Sequence, residues 1–229
     1  MSDIQYPDVK TIAIIGGTGK EGKGLAYRWC KAGYSVIIGS RSVEKAQAAA
    51  DEIAAMLLDG NMPIGMENPL AAEKADLVVL TVPFAVHVPM LESLKGHLQG
   101  KILIDVTVPL VPPKVTKVQL PAAGSAALEA QQILGDEVKV VAAFQNISYE
   151  NLLHNEDVKC DVLVCGNGKA AREVVLKLVA DTGLVGWDAG PLENSVVPEG
   201  LTSILIGINK QFGVQSAGIQ IIGVPRTQD

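Results

Sequence analysis

The stretch TIAIIGGTGKEGKGLAYRW, residues 11–29, limits what this chain can fold into more than any other part of it. An apolar, β-branched run ends in glycine, and Gly17, Gly19 and Gly22 then follow at the spacing G-x-G-x-x-G before a helix-forming run. Each glycine answers a separate need: a tight turn, close approach of backbone to a pyrophosphate, and close packing of helix on strand. The exposed amides and the positive end of the helix that opens there hold the phosphates. Thr18, Lys20 and Glu21 sit inside this loop as candidate nucleotide contacts, although Thr18 serves equally well as a turn former.

The remainder repeats the alternation of short strands and longer helices. After TIAII and a helix from about Gly22 to Ala32 come SVII (35–38), a helix over 43–57, and the apolar runs LVVLTV (77–82), KILIDV (101–106) and VKVVAAF (138–144). HVPMLESLKGHL and SAALEAQQILG supply helical stretches between them. Strands apolar on both faces imply a parallel sheet covered by helices on both sides, and right-handed crossovers then give an α/β, Rossmann-type doubly wound sheet. Residues 107–124 carry four prolines and no helical period; connections of that length are usually functional or mobile. Beyond about Asn146 follow DVLVC, a helix from Lys169 to Asp181, and a helix opening at Pro198 with Leu201, Ile204, Leu205, Ile208 and Phe212 at helical spacing. This tail is too short for a core of its own and is expected to pack on the sheet or on a second subunit.

Charge and composition narrow the partners. A net charge of −6 without a basic run argues against nucleic acid, because binding a phosphate backbone relies on clustered Lys and Arg. Hydrophobic residues reach 48% but lie in short blocks. No run has the length a bilayer requires, and the polar start MSDIQYPDVK lacks signal-peptide character, so no membrane partner and a cytoplasmic location are expected. Cys30, Cys160 and Cys165 cannot all pair; the last two lie five residues apart along a strand and face opposite sides. Buried free thiols and no metal site are expected.

The second strand specifies the coenzyme. An NAD site places an acidic residue about 20 residues past the glycines to bind the ribose 2′-hydroxyl, and that carboxylate repels a 2′-phosphate. Here the strand ends in Ser40 and Arg41, with Lys45 one helical turn on. A serine donates to a phosphate, and a guanidinium neutralises it and stacks on adenine. The reading is NADP, set against that of a solvated charge pair at a helix start.

With these residues in place, the chain resembles the NADPH-dependent reductases of the deazaflavin coenzyme F420. GGTGKEGKGLA, IIGSRSVEKA, LTVP (80–83), PLVP (109–112), VCG (164–166) and DAGPLENS (188–195) carry the likeness. The resemblance implies an NADP domain over residues 1–145, a small C-terminal substrate and dimerisation domain over 146–229, a homodimer, and hydride exchange between NADP(H) and the deazaflavin. It assigns Thr18, Ser40, Arg41 and Lys45 to the adenosine phosphates, and Thr81, Val82 and Pro83 to the nicotinamide border. Pro109, Leu110, Asn146 and Ile147 fall to the deazaflavin pocket; read from the residues themselves, Val82, Pro83, Leu110, Ile147 and Leu205 form an apolar set that fits a planar ring and is equally expected as core. Archaeal members of the family carry His-Thr where this chain has Gln145 and Asn146, and their histidine after the LTVP-type block stands one residue nearer than His87. The cytosolic domain of membrane-bound metalloreductases is also similar.

Hydride transfer between stacked rings needs positioning and exclusion of water, so no catalytic acid is expected. His87, His97 and His154 show no neighbouring carboxylate pattern and read as structural. Other readings stay open at this point: an NADPH-dependent flavin or ferric reductase, a carbonyl or imine reductase with Asp105 or Lys114 as donor, and a non-enzymatic NADP-sensing module.

Overall fold

The structure is a computed structural model that describes residue 6, residues 8–154 and residues 158–225. Its elements are β1 (Thr11–Ile15), α1 (Lys20–Lys31), β2 (Ser35–Ser40), α2 (Val43–Ala54), β3 (Ile64–Glu67), α3 (Asn68–Lys74), β4 (Leu77–Leu80), α4 (His87–Leu94) and β5 (Ile102–Asp105). They continue with α5 (Ala126–Leu134), β6 (Lys139–Ala142), α6 (Tyr149–His154), β7 (Asp161–Gly166), α7 (Lys169–Asp181), β8 (Val185–Asp188) and α8 (Val196–Phe212). One sheet holds all eight strands in the order β3-β2-β1-β4-β5-β6-β7-β8. Its first six follow the doubly wound order 3-2-1-4-5-6, in which the chain reverses direction across the sheet between β1 and β4.

Strand composition explains the layering. In β1, Ile12 and Ile14 enter one core, while Ala13 and Ile15 enter a second on the opposite face. Residues of period two thus bury both faces, which a parallel sheet requires. Cys160 belongs to the first core and Cys165 to the second, so the opposed thiols are where the spacing puts them; both are buried, as is Cys30.

Two features depart from the sequence reading. The β3–α3 pair has no counterpart in it, because IGME is a short edge strand with no buried residue. The sheet is not wholly parallel: β7 runs antiparallel to β6, joined through Val141↔Gly166 and Ala142↔Cys165. The chain leaves β6 through Phe144, which has φ 72 and sets its ring edge-on to Trp29 at 5.7 Å. A left-handed backbone at a bulky residue costs about 1–3 kcal/mol, offset here by burial of the whole ring. The link then runs through α6 instead of a crossover helix, so β7 enters from the end where β6 finished. Residues beyond 146 therefore extend the same sheet, and Val162, Val164, Val175 and Leu178 share a core with Ile12 and Leu25.

Candidate active site

The glycine loop is built as its spacing demands. A Cβ on Gly17 would lie 2.7 Å from the Ile14 carbonyl oxygen, and one on Gly22 would lie 2.7 Å from Gly17 Cα and 2.9 Å from Thr81 Oγ1. At Gly19 the nearest atom would be the Gly16 carbonyl oxygen at 3.7 Å. Gly17 and Gly22 thus serve packing, whereas Gly19 faces open space. Backbone amides secure the turn: Gly17 N donates to Gly39 O at 3.1 Å, tying the loop to β2.

Beside the loop a cleft of about 1050 Å³ opens along the carboxyl ends of the central strands. Thr18, Gly19, Lys20 and Glu21 line it from the turn after β1 and the start of α1, Ser40, Arg41 and Lys45 from the end of β2 and the start of α2, and Thr81, Val82 and Pro83 from the exit of β4. The β5 exit contributes Val106, Thr107, Val108 and Leu110. Such crevices at the switch point are where doubly wound sheets bind ligands. A side cavity of about 400 Å³ shares Ser40, Arg41, Asn68, Val86 and Met90.

Electrostatics favour an anion at the β1–β2 end. Lys20, Arg41 and Lys45 bring positive charge, and α2 points its N-terminus at Ser40–Ser42, with Ser42 Oγ accepting from Lys45 N at 3.3 Å. Glu21 is the acidic member, and its buried Oε1 has no hydrogen-bond partner. Burial pushes this carboxyl up to about 8, so at neutral pH it opposes a phosphate little. Thr81 spends its hydroxyl on Ile15 O at 3.0 Å, holding the ends of β4 and β1 together.

Several sequence-predicted residues lie elsewhere. Among the described residues that line the cleft, Pro109, Asn146, Ile147 and Leu205 do not appear. Asn146 is turned inward: its Nδ2 donates to Asp161 O at 2.8 Å, which fastens the antiparallel β7 to the β6 exit. Ile147 and Leu205 are each 6% exposed. A histidine without carboxylate neighbours was also the wrong expectation for His87, whose ring lies between Asp105, 2.8 Å from Nε2, and Glu129, 3.4 Å from Nδ1. Burial pushes that imidazole down, the two carboxylates pull it up, and the net direction is upward. Asp105, held by His87 and fully buried, cannot serve as a donor in the cleft, and Lys114 is exposed outside it. His97 lies 3.9 Å from Glu73; His154 ends α6, and its side chain falls outside the described residues.

The sequence reading missed Asn68, Phe84 and Thr107 as cleft residues. Asn68 is 5% exposed, and its Oδ1 has no partner. The Asn-Pro pair at 68–69 was the available signal, since such pairs mark element boundaries.

A doubly wound sheet with an open Gly19, a cleft end lined by Lys20, Arg41 and Lys45 and a buried, unpartnered Asn68 oxygen has the features of a dinucleotide-binding protein of the NADP type. The comparisons with known proteins narrow the class. The family described as "NADP oxidoreductase coenzyme F420-dependent" matches residues 11–109. The F420-dependent NADP reductase of Methanocaldococcus jannaschii is 40% identical over 218 residues, covering 92% of this chain and 97% of that protein. That of Methanothermobacter thermautotrophicus is 40% identical over 228 residues, covering 96% and 98%. An Arthrobacter sp. FB24 structure assigned as an F420-dependent NADP-reductase superposes with a TM-score of 0.77 at 24% identity, over 93% of this chain and 99% of that one, and shows the fold. The chain belongs to the F420-dependent NADP oxidoreductase family.

Proposed function

We propose that this protein transfers a hydride between NADP(H) and the deazaflavin coenzyme F420. The observation that carries the reading is one continuous cleft with a basic grip at Ser40, Arg41 and Lys45 and an apolar shelf at Val82, Pro83, Val106, Val108 and Leu110. When bound there, the reduced nicotinamide supplies the hydride and the deazaflavin ring takes it. The chain's own part is to hold and to exclude. Gly19 admits the pyrophosphate, Arg41 and Ser40 select the 2′-phosphate, and the apolar shelf keeps water from between the rings. No residue lining that shelf is an acid or base, which suits a reaction that needs stacking more than proton transfer.

The same proposal includes a homodimer and a substrate- and partner-binding role for residues 146–229. Its support is α8, which exposes Val197, Ile204, Ile208 and Phe212 at 60%, 52%, 38% and 69%. Among the described residues no helix is long and apolar enough to cross a membrane, and a cytoplasmic site of action belongs to the proposal.

The test is NADPH oxidation followed against the deazaflavin, a flavin, a ferric chelate and a carbonyl panel, with NADH as the control coenzyme. Turnover with NADPH and the deazaflavin above all other pairs is expected; turnover confined to flavin or ferric chelate would move the assignment to those acceptors. Sedimentation at micromolar concentration tests the dimer.

A further inference from the structure

Away from the glycine loop, a cluster of ionisable side chains lies behind the cleft wall, with His87 and Asp105 fully buried and Glu129 partly so. His87 opens α4 with no exposed surface, Nε2 facing Asp105 Oδ2 at 2.8 Å and Nδ1 facing Glu129 Oε2 at 3.4 Å. A neutral imidazole carries one N–H, and its second nitrogen is a lone pair. With a carboxylate oxygen opposite each nitrogen, a neutral ring would set that lone pair against an acceptor, whereas the doubly protonated ring donates to both. Asp105 is committed on its other side too, since Oδ1 accepts from Thr107 N at 3.0 Å. The Phe84 ring stacks on the imidazole at 6.0 Å and 30°. Phe84 and Thr107 line the cleft from opposite strand exits, whereas His87 and Asp105 do not line it.

We propose that His87 is a positioning residue: as an imidazolium it clamps the exit of β4, residues 83–86, to the exit of β5, residues 105–108, and so fixes the gap in which two rings must stack. The clamp stands on the geometry alone; the identity of the rings rests on the hydride-transfer reading above.

The charges that act on the ring come from three elements. Asp105 of β5 and Glu129 of α5 face it directly, and Glu199 of α8 interacts with both His87 and Asp105. Burial pushes Glu199 up to about 8. Lys74 of α3, Glu92 of α4 and Lys95 beyond it are exposed, and Glu73 faces His97. A cation between two carboxylates is electrostatically favoured where a neutral ring is not.

The experiment uses the whole chain labelled with 15N-histidine, together with His87→Gln and Glu129→Gln. In the unmodified protein both ring nitrogens of His87 are expected to be protonated at pH 7, with a midpoint above that of free histidine; in Glu129→Gln the midpoint falls by about one pH unit, the usual scale for one neighbouring charge. The high-pH limb of the turnover profile should move with it. His87→Gln keeps one hydrogen bond and loses the charge, so kcat/KM for hydride transfer should fall on the order of tenfold, as small misplacements of reacting groups do. Affinity for 2′,5′-ADP, which reaches only the Arg41 end, should stay within about twofold. A neutral His87 at pH 7, an alkaline limb indifferent to Glu129→Gln, or equal losses for 2′,5′-ADP and NADPH would overturn the clamp. Should His87→Gln not fold, the Glu129→Gln titration and profile decide. Should the unmodified protein fail to reduce the deazaflavin, the function proposed above falls, while the ring titration and the NADPH against 2′,5′-ADP comparison still judge the clamp.

Discussion

Three glycines of one motif differ in what a side chain would cost, and the difference is measurable. Gly19 has φ −75 and ψ 166, a conformation open to any residue, and its Cβ would meet no atom closer than 3.7 Å. Gly19→Val is therefore expected to leave the fold intact and abolish NADPH binding in a titration, because the branched side chain takes the pyrophosphate's place. Gly22→Ala is the converse case. Its Cβ would press on the Gly17 backbone at 2.7 Å, and overpacking of that kind costs about 1–3 kcal/mol, read as a lower Tm even without ligand. At the other end of the cleft, Arg41→Ala should weaken NADPH by about 1.5–3 kcal/mol, the range for a charge-assisted hydrogen bond. NADH, which lacks the 2′-phosphate, should bind nearly as before; equal losses for both coenzymes would remove Arg41 from the specificity argument.

At the scale of elements, α8 completes α5. Ser125 caps α5 by accepting from Leu128 N at 3.0 Å, but the amides of Ala126 and Ala127 are satisfied from another helix, donating to Glu199 Oε2 and Oε1 at 2.7 and 3.1 Å. Pro198 stands near the start of α8, where its missing N–H costs nothing, and directly before the carboxyl that does the capping. Glu199→Ala strands two buried donors. A loss of about 1–3 kcal/mol of stability is expected, and denaturant titration with an unchanged m-value would confirm that the native state alone was weakened. The same contact ties the C-terminal residues to the central sheet: Glu199 finishes a helix that covers it.

Over the whole molecule, the ionisable groups shifted most by burial push in one direction. Glu21 and Glu199 are raised to about 8, so the folded chain holds protons that the unfolded chain releases near the ordinary carboxylate value. Stability from these groups falls as pH rises from about 4.5 through 8. His87 is also raised; its contribution is complete below the free-histidine value and is lost as pH climbs through the folded one. The net charge of −6 adds self-repulsion on the alkaline side. Tm is expected to drop between pH 6 and pH 9 by at least ~5 °C, what ~1–2 kcal/mol alone produces in a chain of this size. Glu21→Gln should flatten that slope, and a flat or rising profile in the unmodified protein would contradict the shared sign.

The glycine loop, the Ser40–Arg41 pair at the cleft and six of the strands were legible without coordinates because each rests on local rules. Glycine spacing, β-branched runs bounded by turns, and a serine–arginine pair at a strand end depend on neighbours within a few residues. Tertiary structure decided the rest. Whether β7 ran parallel or antiparallel depended on where the chain left Phe144 and on α6 packing against α1, neither of which has a periodic signature. Asn146 looked like a ligand contact by position, yet the antiparallel β7 put the Asp161 carbonyl within 2.8 Å and claimed it. His87 looked isolated because its carboxylates stand 18 and 42 residues away. The sequence alone determined which surfaces must be buried and which glycine loop stands between β1 and α1; only the packed sheet decided which charges meet, because a buried ion pair is made by the elements that close over it.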